Sequence, residues 1–122
     1  MSATPKKHSK VLNSGNSTGS DYDWIIAGSD NTQQRIYSAV IVNNDDATQT
    51  ITVKVQNYSG AYSSILTKSY SIAAGETDFI SELYDQVLIG NATYPDKVTV
   101  AFNTTLTSTD VINCLAGAVE FA

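Results

Sequence analysis

Residues 49–57, QTITVKVQN, alternate without a break. Ile51, Val53 and Val55 fall on one side, and Thr50, Thr52, Lys54 and Gln56 on the other. A period of two predicts a strand with one buried and one wet face, the habit of antiparallel sheets. DKVTVAFN (96–103) repeats the signal, with Val98, Val100 and Phe102 together. Two longer runs, QRIYSAVIVNN (34–44) and DVINCLAGAVEFA (110–122), are apolar on both faces. Such strands are buried on two sides or lie at an interface between copies. Gly117 in the second run predicts a bulge or a close backbone approach.

The remaining segments fit the same scheme. DWIIAG (23–28) reads as a strand with Trp24 and Ile26 on one side. The polar stretch NNDDAT (43–48) separates two strands and predicts a hairpin with a solvated acidic loop. In 62–81, YSSILTKSYSIAAGETDFIS, two strands flank a turn at Ala74, Gly75 and Glu76, where glycine supplies a positive φ. ELYDQVLIG predicts one helical turn over 82–86 and a short strand over 87–89. Seven to eight regularly spaced strands with almost no helix predict an all-β fold, an antiparallel β-sandwich or jelly-roll-like barrel.

Length and composition narrow the class. The 122 residues are 42% hydrophobic and 16% charged, enough for one domain with a real core. No apolar run approaches the ~18–20 residues that span a bilayer. The basic N-terminal segment carries no apolar stretch behind it, so a secretory signal is not expected. That predicts synthesis in a cytoplasm and no membrane partner.

Charge divides the chain. Residues 1–20 hold Lys6, Lys7 and Lys10 and no acid, whereas 21–122 hold four basic and twelve acidic residues, a net of −8. The expected organisation is a flexible basic arm, 1–20, extended from a sandwich domain, 21–122, through the polar linker NSGNSTGS. The arm is either a solubilising tail or a strap for an acidic surface. In the second case Lys6, Lys7 and Lys10 supply charge, and Val11 with Leu12 supplies apolar contact. An acidic body argues against nucleic acid as a partner.

Candidate chemistry is sparse. The single histidine, His8, lies in the arm, where no general base could be held in place. Cys114 is the only cysteine, so no internal disulfide is expected, and its mid-strand position predicts a small buried apolar residue. Asp21/Asp23, Asp45/Asp46, Glu76/Asp78 and Glu82/Asp85 are paired carboxylates in turns, with nothing to set them across a cleft. DYD and NNDD could offer oxygen ligands, but the twelve-residue calcium loop with its central glycine is missing. No catalytic, metal or cofactor site is expected, and the chain does not read as an enzyme. Seven tyrosines remain. Three of them, Tyr58, Tyr62 and Tyr94, fall in apparent loops, where aromatics stack on sugars, bury in interfaces or pack at the core edge.

The succession IYSAVIVNNDDATQTITVKV, SYSIAAGETDFIS, DKVTVAFN and INCLAGAVEFA resembles the small β-sandwich virion proteins of tailed bacteriophages, of the capsid decoration (cement) type. The resemblance covers roughly 34–122. It implies a non-enzymatic structural protein that binds and stabilises the assembled head as a dimer or trimer. Its partners would be the major capsid protein or other virion proteins, and its location the virion. The same architecture serves tail, fibre and head-to-tail connector proteins, AAGE turns also occur in bacterial surface and binding modules, and the loop tyrosines would suit a carbohydrate-binding or adhesion module. Both stand as alternatives.

Overall fold

A computed structural model describes residues 3–122. These residues form nine strands: β1 (Ala3–Leu12), β2 (Tyr22–Ile26), β3 (Gln33–Asn43), β4 (Gln49–Tyr58), β5 (Tyr62–Ile72), β6 (Thr77–Phe79), β7 (Val87–Ile89), β8 (Lys97–Phe102) and β9 (Ile112–Phe121). One turn of 3-10 helix, Ser81–Leu83, precedes β7. All pairings are antiparallel. The first sheet runs β1-β9-β3, with β6 and β7 sharing the far side of β3; the second runs β2-β8-β4-β5. The fold is a β-sandwich, as the spacing of strands predicts.

Alternation places the core as expected. Ile51, Val53 and Val55 of β4, with Val98, Val100 and Phe102 of β8, meet Leu12, Ile36, Ile41, Ile112 and Cys114 of the first sheet. Gly75 has φ +75° in the turn before β6. Gly117 marks a close approach: a Cβ there would lie 2.7 Å from the ring of Tyr37. The bulge itself is across the ladder, in β3 between Ile36 and Ser38. It shifts the parity of β3 by one, so that Ile36, Ala39 and Ile41 all reach the core.

Three expectations are corrected. Residues 3–12 are not a flexible arm but an edge strand, paired with β9 from Ala3↔Phe121 to Leu12↔Ile112. Without β1, a ten-residue apolar strand would leave its outer row of backbone groups unpaired. Lys6, His8, Lys10 and Leu12 lie progressively at and under the sandwich margin, the stems of the lysines standing in for apolar side chains. Residues 13–21 are an ordered crossover between sheets, held by Asn13 Oδ1 accepting from the Gly15 N–H and by the Gly19 N–H donating to Phe102 O.

The second correction concerns 43–48. Strands β3 and β4 lie in different sheets, so the loop is an arch and no hairpin forms. The arch is not simply wet, because Asn43 and Asp45 are buried. Asn43 Nδ2 donates to Ala47 O and Ile72 O, and its Oδ1 accepts from the Asp45 N–H. A side-chain amide thus replaces the ladder that a hairpin would supply. The third is local: a bulge between Asp23 and Ile25 turns Trp24 and Ile25 inward and leaves Ile26 exposed.

Candidate functional site

The lysines of β1 are divided by strand alternation. Lys6 and Lys10 share one side. Lys6 Nζ lies 3.7 Å from Glu120 Oε1, and Lys10 Nζ sits 5.6 Å from the centre of the Tyr22 ring. Lys7 points to the opposite side, level with Gly117. Val11 and Leu12 separate in the same way, Val11 exposed and Leu12 wholly buried. The five residues therefore do not form one strap.

His8 is also absorbed by structure. Its Nε2 donates to Gln34 Oε1 at 2.7 Å, and Gln34 Nε2 donates in turn to Glu120 Oε2 at 3.3 Å. Gln34 is buried, so the relay satisfies an amide that would otherwise be stranded. Burial pushes the Cys114 thiol up to about 12, far from thiolate chemistry.

The three loop tyrosines do converge. Tyr58 and Tyr94 stack at 3.7 Å with ring planes 6° apart, and Tyr62 meets Tyr58 edge-on at 5.2 Å. The Tyr62 hydroxyl donates to Pro95 O, and Lys97 Nζ lies 4.2 Å from the Tyr62 ring centre. The rings clamp the β4–β5 hairpin to the 90–96 loop. Tyr58 and Tyr94 each give one face to the other, and Tyr94 remains exposed.

At the opposite end, Asp45, Asp46 and Asp110 bring carboxylate oxygens within 4.8 Å of one another. Burial raises the Asp45 carboxyl, but hydrogen bonds, chiefly from Gln49, outweigh it and hold the group below its ordinary value. Asp46 is raised by its hydrogen bond with Asp45 and by the charges of Asp110 and Asp45. Both Asp45 oxygens already accept, Oδ1 from the Asp46 N–H and Oδ2 from Gln49 Nε2. The cluster braces the arch.

What sets this molecule apart is a contrast between its two outer faces. On the second sheet, Thr50, Thr52, Lys54 and Gln56 stand level with Ser71, Ser69, Thr67 and Ser64. Ion pairs Lys54–Asp21 (3.0 Å) and Lys97–Asp23 (3.1 Å) complete a largely wet surface, the exposed large apolar side chains of this sheet being Ile26 and Ile65. On the first sheet the register builds apolar rows. Ser9, Leu115, Val40 and Phe79 form one, and Pro5, Val119, Arg35 and Val87 another. Ala3, Phe121, Gln33 and Ile89 make a third. Tyr37 lies over Gly117 between the rows. Val87, Leu115, Ile89, Tyr37 and Phe79 are exposed on this face, from 41% at Val87 to 66% at Phe79, while Val40, Val119 and Phe121 are half-buried. A groove of about 460 Å³ opens among Lys7, Ser9, Tyr37, Val40, Leu115 and Gly117. Among the described residues the face carries Lys7 and Arg35 and no carboxylate. Sequence reasoning marked both long strands as apolar on two sides; which side faces outward required the register.

Compared with known proteins, the chain matches no family model and no curated relative. Among the described residues, no helix is long and apolar enough to cross a membrane.

Proposed function

We propose that this protein is a non-enzymatic structural component of a bacteriophage virion, a capsid decoration protein that binds the assembled head and stabilises it. The observation that carries the structural part of this reading is the outer face of the first sheet. One sandwich bears a polar outer face and an apolar one, so the apolar one is a surface meant to be covered by protein. The virion assignment rests on the pattern resemblance of 34–122 described above. Its partners are then the major capsid protein or neighbouring virion proteins, and copies of this chain.

Location tests the proposal. Mass-resolved composition of purified particles, with immunogold imaging, is expected to find the chain in many copies on the head shell. Label confined to the tail would move it to the tail or connector class, and absence from particles would refute it. The carbohydrate-binding alternative has one feature in its favour, the exposed ring of Tyr94. It requires glycan binding that Tyr94→Ala abolishes.

A further inference from the structure

The outer face of the first sheet fits a second copy of itself. We infer that two chains pack these faces together about a twofold axis parallel to the strands, running between β9 and β3. This deepens the structural reading above and rests on it for the claim that the face is covered.

The argument begins with register. Across the face the order is β1, β9, β3 and then β6 with β7. A twofold between the two middle strands sets β9 against the partner's β3, and β1 against the partner's β6 and β7. Each row then opposes itself reversed. Phe79, the most exposed large apolar side chain among the described residues, meets Ser9; Ile89 meets Ala3; Val40 meets Leu115. Tyr37 already fills the space above Gly117 of its own chain, so this row offers no small site to the partner's Tyr37. Large opposes small in two of the three pairings above, Phe79 on Ser9 and Ile89 on Ala3, which is the self-complementarity an isologous contact demands.

Area agrees. Four strands at ~4.8 Å and ten residues at ~3.4 Å give a face of roughly 650 Å² per copy, near the ~800 Å² per partner of a standard interface. Facing sheets pack ~10 Å apart with nearly aligned strands, so this dimer extends the layer arrangement the sandwich already uses. The two cations do not oppose it. Lys7 is on the edge strand, and Arg35, although on a middle strand, is two residues from the start of β3, so both heads can reach water at the rim.

The test combines association with geometry. Sedimentation of the full chain at micromolar concentration is expected to give a dimer. Leu115→Asp should weaken association by about 30-fold or more, as for a central interface anchor, while leaving the circular dichroism spectrum unchanged. Thr52→Asp, on the polar outer face, should leave association unchanged. Ser9→Cys combined with Phe79→Cys supplies the geometry: the two positions are three strands, ~14 Å, apart in one copy. They should cross-link between copies with a two-carbon bis-maleimide, and either single variant should not. A monomer, or a dimer indifferent to Leu115→Asp and silent in cross-linking, overturns the twofold pairing. If such a chain is still found on particles, the virion reading survives; a cross-linked dimer absent from particles leaves the pairing and removes the virion reading.

Discussion

Val11 and Leu12 are neighbours in sequence and opposites in structure, and that difference measures whether β1 belongs to the domain. Leu12 is 0% exposed within the core cluster, whereas Val11 is 46% exposed on the outer face. Leu12→Ala removes a fully buried side chain and leaves a cavity, at a cost of about 2–5 kcal/mol. Val11→Ala loses a half-exposed side chain, and surface changes of that kind cost about 0.5 kcal/mol. With a urea slope of about 2 kcal/mol/M for a chain of this size, the middle of the Leu12 range moves the midpoint down by about 1.8 M. Val11→Ala moves it by about 0.3 M. The only tryptophan, Trp24, is buried in the second sheet and reports global unfolding by fluorescence. Both variants are compared at one protein concentration. Equal small shifts for the two would refute the integration of β1 and restore a flexible arm.

Gly117→Ala places a Cβ against the Tyr37 ring and should cost about 1–3 kcal/mol; adding Tyr37→Ala should recover part of it in a double-mutant cycle. Asp45 has a lowered pKa, so it contributes stability that is present above its unfolded value and is lost as pH falls through the lower folded value. Asp45→Asn should therefore flatten the acid limb of a stability–pH curve. Asp46 has a raised pKa and the opposite sign, costing stability above its folded value. Asp46→Asn should raise the thermal midpoint at neutral pH, and the gain should vanish once the pH is below the unfolded carboxyl range. Tyr94→Ala should cost about 0.5–1.5 kcal/mol through loss of the stack on Tyr58, and hydrogen exchange should quicken in 90–96.

The chain by itself determined the strands whose two faces differ. Ile51, Val53 and Val55 could only be a buried row, because any one-residue slip would put them in water beside Lys54. The turn at Gly75 was equally legible, since few other residues accept its backbone angle. β1 was not, because its core-side positions are Thr4, Lys6, His8 and Lys10, and polar alternation carries no hydrophobic signal. Its strand character comes from the unpaired edge of β9, which is distant in sequence. The same holds for 43–48: a loop between two strands is compatible with a hairpin or an arch, and only the buried amide of Asn43 decides for the arch. The outer face shows the division most sharply. Apolar residues on both sides of 34–44 and 110–122 were plain in the chain. Which of them the core keeps was decided by the bulge at Tyr37, where one extra residue turns Ile36, Ala39 and Ile41 inward and sends Val40 and Val42 out beside Leu115.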